Sequence, residues 1–328
     1  MAAAEKSRAE ILLEALPYIR RFSGKSIVIK FGGAAMVDEE LRHNFARDIV
    51  LLQYVGIKPV IVHGGGPQIS RMLNELQIPT QFVDGHRVTD RASMDVVEMV
   101  LAGKINKEIV ALINNEGGRA VGISGKDGSL AQATPHALRR TAADGQTEHV
   151  SLGQVGTLTA RDINPAILTT LENSSYVPII APIAVGVDGL SLNINADTMA
   201  GAVASALKAE KLILLTDTPG VLVAEQTVTG LAPEDVHRLM NDGSITGGMI
   251  PKVTCCLDAL HHGVRRTHII DGRVPHAVLL EMFTDDGVGT LISYEFDSKR
   301  RTEVRIDPDS PPTPEIPGQI SGGNTSGV

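Results

Sequence analysis

The sequence predicts an α/β fold built on a mostly parallel sheet that is buried on both faces. Short runs of apolar, β-branched residues recur along the chain, and segments with the apolar spacing of helices separate them. The runs are almost continuously apolar, which is typical of parallel strands covered by helices on both sides. The chain has 328 residues, so it can bury such a core without disulfides.

The first predicted element is a helix over residues 5–22. Its apolar residues recur every three or four positions and leave the charged residues on the other side. Pro17 inside this pattern predicts a kink, and Gly24 is a suitable end signal. Because the helix precedes the first strand, it can project away from the rest of the chain.

Strands and helices then alternate. The predicted strands cover Ser26–Phe31, Pro59–His63, Ala120–Ile123, Val177–Pro182, Lys211–Thr216 and Arg266–Ile270. The predicted helices cover Glu39–Val55, Pro67–Gln77, Arg91–Asn115, Asn164–Asn173, Asp197–Ala209 and Val253–His262. Turn-rich segments at 125–160 and 183–193 predict hairpins beside the main sheet. Proline and glycine dominate the end of the chain, so a disordered tail is expected over 298–328.

The composition argues against several classes of function. The net charge is −8, and the aromatic residues are 6 Phe, 4 Tyr and no Trp, so a nucleic-acid partner is not expected. No apolar run is long enough to span a membrane, and the N-terminus has no signal-peptide pattern. Cys255 and Cys256 are adjacent and fit small core residues of a reduced, cytoplasmic protein.

Two glycine-rich turns follow predicted strands, at the edge where ligands of open α/β sheets bind. Lys30–Gly33 sets an ammonium group beside backbone that a ligand can approach closely. His63–Pro67 leads into a helix with three glycines, and bare N–H groups at a helix start bind phosphate or carboxylate. A surface lysine and ordinary tight turns are the alternative interpretations.

Three familiar sites do not fit these motifs. The dinucleotide fingerprint would need glycine at position 69, where Ile69 stands. Gly125 and Lys126 lack the earlier glycine of a nucleotide-binding P-loop, and Asp127 follows them. His63–Gly66 resembles the oxyanion loop of some esterases, but the chain has no GxSxG nucleophile motif.

Polar residues mark three more element ends. Asn193–Asp197 opens an alanine-rich helix, and Asp197 is either a functional carboxylate or the N-cap of that helix. A polar turn ends the strand within Leu214–Val221. Lys252 stands so early in a helix that it opposes the helix macrodipole, which indicates an anionic partner or ligand. A solvated lysine is the alternative.

Taken together and in order, the motifs resemble those of the amino-acid kinase family. The segments that carry the resemblance are Lys30–Gly33, His63–Pro67, Gly85–Thr89, Asn193–Asp197, Leu212–Val221 and Gly247–Lys252. The resemblance is greatest to the branch that phosphorylates N-acetyl-L-glutamate, in its arginine-sensitive type. It implies a three-layer αβα sandwich with an oligomerisation helix at 1–23, and a lobe for acetylglutamate binding and dimerisation at 24–190. A lobe for ATP and arginine would follow at 191–297.

The resemblance implies phosphoryl transfer from ATP to the γ-carboxylate of N-acetylglutamate, a step of arginine biosynthesis. A carboxylate is already ionised at neutral pH, so no general base is required. Lys30 and Lys252 would stabilise the migrating phosphoryl group, and Asp197 would orient both lysines. Implied substrate-binding residues are Gly65, Gly66, Arg87 for the α-carboxylate, and Asn193. Implied nucleotide-binding residues are Gly32, Gly33, Asp217, Gly220 and Gly248. Mg²⁺ is expected to arrive on ATP, without a protein metal ligand.

The N-terminal helix carries a further implication. Family members with such a helix form hexamers, as trimers of dimers, and bind L-arginine as a feedback inhibitor. The candidate arginine-site residues are Tyr18, Lys211, His268, Glu281 and Gly287. A PII-type signalling protein is a further candidate partner. The alternative is that residues 5–22 only dock on their own subunit.

Two functions of other classes stay open at this point. A non-catalytic amino-acid sensor on a kinase scaffold would be expected if one of the two lysines were missing, but Lys30 and Lys252 are both present. An esterase that uses His63–Gly66 would need a serine nucleophile, which a covalent serine probe would detect.

Overall fold

The computed structural model describes residues 8–141, 147–284 and 287–295. The helices are Arg8–Phe22 (α1), Glu39–Tyr54 (α2), Gly66–Glu75 (α3), Arg91–Glu98 (α4), Asn106–Asn115 (α5), Ala166–Asn173 (α6), Ala196–Leu207 (α7), Pro233–Asn241 (α8), Met249–His261 (α9) and Ala277–Phe283 (α10). A π-helical segment, Met99–Ile105, joins α4 to α5. Short 3₁₀ turns cover Gly33–Met36, Asp127–Ser129 and Ala160–Asp162. Residues 5–7 and the expected tail lie outside the described residues.

The strands form one large sheet and a smaller group. Those of the large sheet are Ser26–Phe31 (β1), Lys58–His63 (β2), Ala120–Ser124 (β5), Val177–Ala181 (β8), Lys211–Thr216 (β11), Gly230–Leu231 (β14), Arg266–Asp271 (β15) and Thr290–Ile292 (β16). The others are Gln81–Val83 (β3), His86–Val88 (β4), Gln132–Thr141 (β6), Thr147–Thr157 (β7), Ile183–Gly186 (β9), Ser191–Ile194 (β10), Leu222–Val223 (β12) and Gln226–Thr227 (β13).

The large sheet has the order β14-β16-β15-β11-β1-β2-β8-β5. Its neighbouring strands are parallel, except for β15 and β16. β1 lies in the middle, with β11 on one side and β2 on the other. The predicted mostly parallel sheet is therefore confirmed, and the carboxyl ends of β1, β2 and β11 lie side by side.

Side chains of β1 alternate between two separate cores, as a strand buried on both faces requires. Ile27 and Ile29 join the core that includes buried residues of α2, α5 and α10. Val28 joins the second core, which includes buried residues of α7 and α9. The sheet is thus the middle layer of the expected αβα sandwich.

The two predicted hairpins are also present. β6 pairs with β7, and β9 pairs with β10, in antiparallel fashion. Parallel pairings of β7 with β10 and of β6 with β9 close these four strands into a small barrel. The barrel lies beside the main sheet and leads directly into α7.

Several predicted boundaries differ from the structure. The helix expected over Arg91–Asn115 is interrupted by the π-helical segment, so it is not one regular α-helix. α9 begins at Met249 rather than at Val253, which puts Lys252 inside its first turn. α7 is capped by Asn195, whose side chain accepts from two backbone N–H groups. α1 includes Pro17 within its span.

The cysteines occupy the second core as predicted. Cys256 is fully buried, and Cys255 packs against the same cluster. Burial raises the pKa of the Cys256 thiol to about 12, so this side chain is a neutral core residue. Over the described residues, none of the helices has the length and hydropathy needed to cross a membrane.

Candidate active site

A single carboxylate joins two lysines at the carboxyl edge of the sheet. Asp197 Oδ1 lies 3.2 Å from Lys30 Nζ, and Asp197 Oδ2 lies 2.8 Å from Lys252 Nζ. Lys30 is only 9% exposed, and the Lys252 side chain is 18% exposed. The alternatives of a surface lysine at 30 and a solvated lysine at 252 are therefore wrong. These two ammonium groups, far apart in sequence, meet at one carboxylate.

Local structure explains how each group arrives at this point. Lys30 stands near the end of β1, which is buried between β2 and β11. Lys252 lies in the first turn of α9. Asn195 is the N-cap of α7, so the alternative in which Asp197 only caps that helix is wrong. Because Asn195 bonds the backbone N–H groups of the first turn, the Asp197 carboxylate remains available to the lysines.

Electrostatics keep Asp197 ionised. Burial alone raises the pKa of a carboxyl group, but the charges of Lys30 and Lys252 and their hydrogen bonds outweigh burial here. The pKa of Asp197 is therefore held below its usual value. Two cations and one anion leave a net positive charge in a sheltered site, which suits an anionic ligand.

A cavity of about 600 Å³ opens on one side of the Asp197–Lys30 pair. Its lining includes the turn after β1, with Gly32 and Gly33, and the glycine loop, which we define as Gly64–Gly66. Asp217, which follows β11, also lines this cavity. Glycine is required at position 33, because its φ is +68° and a Cβ there would overlap the Asp217 carboxylate.

The glycine loop fits closely against the helical layer beneath it. A Cβ added at Gly65 would lie 2.5 Å from Leu101 Cδ2 and 2.6 Å from Ile105 Cδ1, both in the π-helical segment. A Cβ at Gly66 would meet open space. A side chain at position 65 would therefore have to displace these two packed side chains.

A second cavity, of about 400 Å³, lies on the other side of Lys252. Gly220 and Gly248 line it, together with threonine, serine and apolar side chains of the turns around them. Among the predicted nucleotide-binding residues, Gly220 and Gly248 line this second cavity, whereas Gly32, Gly33 and Asp217 line the first. Lys30 and Asp197 line the first cavity and Lys252 lines the second, so the salt-bridged cluster lies between the two cavities.

Arg87 is a buried cation beside the glycine loop. It is only 8% exposed, and its guanidinium donates to Thr80 Oγ1, Ser70 Oγ and the Gly66 carbonyl oxygen at 2.7, 2.6 and 3.2 Å. The ring of Phe82 lies 4.6 Å below it. Across the described residues, no carboxylate forms an ion pair with this guanidinium, and burial lowers its pKa.

Asn193 is set apart from the lysine cluster. It lies on β10 of the small barrel, where its amide donates to Thr89 Oγ1 at 3.4 Å. Thr89 directly follows β4, the strand that holds Arg87. Asn193 and Arg87 are therefore close to each other, but neither lines the first cavity, which Arg87 reaches only through its bond to Gly66.

The candidate arginine-site residues form a second, separate cluster under α1. Glu281 Oε1 lies 2.7 Å from His268 Nδ1 and 3.6 Å from Lys211 Nζ. Burial alone raises the pKa of Glu281, but His268 and Lys211 outweigh it and lower the value to about 2. Phe22, at the end of α1, lies 5.0 Å from Lys211 Nζ and stacks on Tyr18.

The loop that holds Gly287 is tied to the same cluster. Val288 N–H donates to Glu281 Oε2 at 2.9 Å, and Gly287 N–H donates to Thr284 Oγ1 at 3.3 Å. Lys211 and His268 thus contact the buried Glu281 carboxylate directly. Gly287 is connected to it through Val288, and Tyr18 through Phe22 and Lys211. The cluster belongs to the first core, away from the cavities.

Sequence reasoning missed the roles of four residues, two beside Arg87 and two beside Asp197. Ser70 and Thr80 orient Arg87, although no local signal marks either hydroxyl. Cys255 Sγ donates to the Asp197 carbonyl oxygen at 3.0 Å, which ties α9 to the first turn of α7. Asn195 could have been found, because asparagine and aspartate are equally good N-caps.

The fold and the cleft together define a class of protein. Parallel strands end at glycine-rich turns, two lysines share one buried carboxylate, and a cavity lies on each side of that cluster. Such a site gathers positive charge and backbone N–H groups around oxyanions, which is the requirement of phosphoryl transfer. The sequence pattern of the amino acid kinase family matches residues 25–271 of this chain.

Known proteins agree with this match. A protein named acetylglutamate kinase from Leptospira biflexa is 58% identical to this chain, over 86% of this chain and 96% of that protein. Another of the same name from Saccharophagus degradans is 56% identical, over 88% of this chain and 96% of that protein. The structure of N-acetylglutamate synthase from Neisseria gonorrhoeae, complexed with coenzyme A and N-acetyl-glutamate, superposes with a TM-score of 0.76 at 25% identity, over 89% of this chain and 65% of that one. The chain belongs to the amino acid kinase family, and it is an ATP-dependent phosphotransferase.

Proposed function

We propose that this enzyme transfers the γ-phosphoryl group of ATP to the γ-carboxylate of N-acetyl-L-glutamate, giving N-acetyl-L-glutamyl 5-phosphate for arginine biosynthesis. The observation that carries the proposal is the Asp197 carboxylate, which contacts both Lys30 and Lys252 between the two cavities. Relatives that are 58% and 56% identical over 86% and 88% of this chain are named for this substrate.

The two cavities suggest how the substrates divide. The second cavity, with Gly220 and Gly248, would take the nucleoside part of ATP. The triphosphate would reach past Lys252 toward Lys30, so that Gly32, Gly33 and Asp217 face its γ-phosphate. The first cavity would take the acceptor beside the glycine loop. This arrangement sets donor and acceptor on opposite sides of the lysine pair, as an in-line transfer needs.

Arg87 supports an acceptor with a second carboxylate. A buried guanidinium is costly unless it has an anionic partner, and none of the described acidic side chains pairs with Arg87. The α-carboxylate of N-acetylglutamate would supply that partner, with Asn193 binding the polar groups nearby. Gly65 and Gly66 would donate their N–H groups to the acceptor end that reacts.

The chemistry follows from the charges. An oxygen of the γ-carboxylate attacks the γ-phosphorus, the bond to the β,γ-bridging oxygen breaks, and ADP leaves with that electron pair. The acceptor is already ionised, so no side chain has to remove a proton. Lys30 and Lys252 would neutralise the equatorial oxygens from two sides, and Asp197 would hold both lysines in place.

Mg²⁺ would enter as part of the MgATP substrate. Asp197 is occupied by two lysines, and the described residues contain no group of three metal-binding side chains. The donor set therefore fits an ion held mainly by the phosphates of ATP. Besides Asp197, Asp217 is a carboxylate that lines the first cavity, on the side where those phosphates would lie.

The test is an ADP-release assay with ATP and a panel of acceptors. We expect strong activity with N-acetyl-L-glutamate and weak activity with aspartate, glutamate, carbamate and UMP. Running the panel with and without L-arginine adds the regulatory question. A clear preference for any other acceptor on the panel would contradict the proposed substrate.

We further propose feedback inhibition by L-arginine in a hexamer assembled through α1. Two observations support this. α1 packs over the cluster around Glu281, where Phe22 contacts Lys211. The Glu281 carboxylate is a suitable partner for the guanidinium of arginine, which would replace Lys211 beside it. In addition, Leu13 and Leu16 on α1 are 64% and 46% exposed, which leaves apolar surface for a second subunit.

A further inference from the structure

His63 is a buried titratable group that the proposed transfer does not use. It ends β2 directly before the glycine loop, and it is fully buried. Burial lowers its pKa to about 4, with a smaller lowering from the charge of Lys107. The ring is therefore neutral at neutral pH and has one N–H group to donate.

The neighbours of the ring decide which nitrogen carries that hydrogen. Nδ1 lies 2.8 Å from the Gly64 carbonyl oxygen, and Nε2 lies 3.3 Å from the side-chain nitrogen of Asn106. A carbonyl oxygen can only accept a hydrogen bond. Nδ1–H therefore donates to Gly64, and Nε2 accepts from the Asn106 amide.

Asn106 is itself fixed in orientation. Its side-chain nitrogen also donates to the Ile179 carbonyl oxygen at 2.8 Å, and its oxygen accepts from Lys107 Nζ at 3.0 Å. The same nitrogen lies 3.4 Å from the Ile123 carbonyl oxygen of β5, so its two hydrogens face three acceptors, of which Ile179 and His63 are the nearer two. Asn106 is fully buried and directly follows the π-helical segment, whose Leu101 and Ile105 pack beneath Gly65.

Peptide geometry transmits this arrangement to the loop. Gly64 N–H donates to the Phe31 carbonyl oxygen at 2.8 Å, and its own carbonyl accepts from His63. In a planar trans peptide, the C=O and the following N–H point in opposite directions. Because the Gly64 carbonyl turns toward the buried ring, the Gly65 N–H points away from the ring, and Gly65 lines the first cavity.

We propose that His63, held by Asn106, is a positioning residue that aims the Gly65 N–H at the oxygens of the reacting groups. The inference rests on the proposed phosphoryl transfer in the first cavity. The ring gains and loses no proton during the reaction. It acts by preventing rotation of the Gly64–Gly65 peptide, which would turn the N–H donor away from the developing charge.

Two substitutions separate the two hydrogen bonds of the ring. In His63→Asn, the amide takes the place of Nδ1 and still donates to Gly64. In His63→Gln, the amide reaches the place of Nε2 and leaves the Gly64 carbonyl without its donor. With N-acetylglutamate as acceptor, we expect kcat within about 3-fold of the unmodified enzyme for His63→Asn and at least about 30-fold lower for His63→Gln.

The two variants also serve as each other's control. The KM for ATP should stay unchanged in both, because the nucleoside part lies in the other cavity. Equal losses of kcat in the two variants would mean that His63 only fills space, and would overturn the proposal.

Asn106→Leu gives a second arm to the test. It removes the amide that holds the ring, so we expect kcat to fall by about 10-fold. Combined with His63→Gln, it should add little further loss, because both changes act on the same peptide. Fully multiplicative losses would show independent roles and contradict the proposal.

A measurement on the unmodified chain depends neither on how the variants fold nor on the substrate. In ¹⁵N spectra of the imidazole rings, with His63 assigned through Gly64, we expect protonated Nδ1 and no titration between about pH 5.5 and 8. A ring protonated at Nε2, or one that titrates in this range, would overturn the positioning. If the ring behaves as expected but N-acetylglutamate is not phosphorylated, the proposed function fails and the orientation of the loop stands.

Discussion

At the scale of single residues, the site depends on one carboxylate that serves two cations. Asp197 contacts Lys30 and Lys252 through different oxygens, so each lysine has a fixed position without losing its remaining hydrogens. The contact with Asp197 uses one of the three N–H bonds of each ammonium group. The arrangement can therefore clamp a phosphoryl group from two directions.

Removing either ammonium group should have a large effect on catalysis. We expect Lys30→Met and Lys252→Met each to lower kcat by about 10²–10³, because each removes one aimed donor from the migrating group. Lys25→Ala, an exposed lysine just before the same strand, is the matched control and should keep full activity. Steady-state ADP release measures all three, and turnover within about 5-fold of normal in both methionine variants would contradict the site.

The buried ring of His63 predicts a specific dependence of stability on pH. Its pKa in the folded state is about 4, below the ordinary value of about 6.5. As the pH falls through 6.5, His63 binds a proton in the unfolded chain but stays neutral in the folded chain. The free energy of unfolding therefore falls progressively down to about pH 4. The loss from this residue should be about 2 kcal/mol between pH 7 and pH 5.

Comparison with His63→Asn isolates that contribution. Other groups titrate in the same range, among them buried Asp48, whose pKa burial raises to about 6. They are common to both proteins, so the difference in denaturant midpoint belongs to His63. The free energy of unfolding of His63→Asn should fall less on acidification, by about 2 kcal/mol, and an identical pH dependence of the two proteins would be evidence against a neutral buried ring.

At the scale of elements, the glycine loop and the π-helical segment fit each other. The side chains of Leu101 and Ile105 occupy the space that a Cβ at Gly65 would need, whereas the space beside Gly66 is open. Both glycines lie at the start of α3. Their difference therefore reflects packing against the π-helical segment rather than secondary structure.

Two alanine substitutions test this fit. Gly65→Ala should lower the free energy of unfolding by about 1–3 kcal/mol, because an added methyl group must displace packed side chains. Gly66→Ala should leave the melting temperature close to that of the unmodified chain, and it is the control for stability. Thermal unfolding followed by circular dichroism measures both, and equal melting temperatures would rule out the close packing.

At the scale of the whole molecule, α1 stands apart from the reaction and covers the Glu281 cluster. Its contacts with α10 connect the N-terminus to the helix that holds Glu281. Its leucines Leu13 and Leu16 are exposed, as the proposed contact with another subunit requires. In the proposed hexamer, α1 would therefore contact both the neighbouring subunit and the arginine site.

Deletion of residues 1–23 tests this role. The lysine cluster lies in the body of the protein, so we expect kinase activity to be retained. We expect the assembly to change from hexamer to dimer and inhibition by L-arginine to weaken. Sedimentation velocity and inhibition curves measure the two effects, and a truncated protein that sediments as a hexamer would contradict the proposal.

Much of this fold was predictable from sequence, because alternating apolar strands and helices allow few arrangements. The meeting of Lys30 and Lys252 followed from motif order. The N-cap of α7 was not predictable, because asparagine and aspartate are equally good N-caps. Only the structure shows that Asp197 contacts the two lysines and that Asn195 caps the helix. The π-helical segment was also missed, since its sequence keeps helical spacing and only its fit against Gly65 distinguishes it.

The central position of β1 has a consequence for biosynthesis. The register pairs Ile27 with Lys211, so a strand made early needs a neighbour that leaves the ribosome much later. At a synthesis rate of about 5–20 residues per second, the wait is roughly 10–40 s. During that time the backbone edge of β1 that pairs with Lys211–Thr216 has no partner strand. Chaperone binding to the nascent chain should be strongest before Lys211–Thr216 emerges.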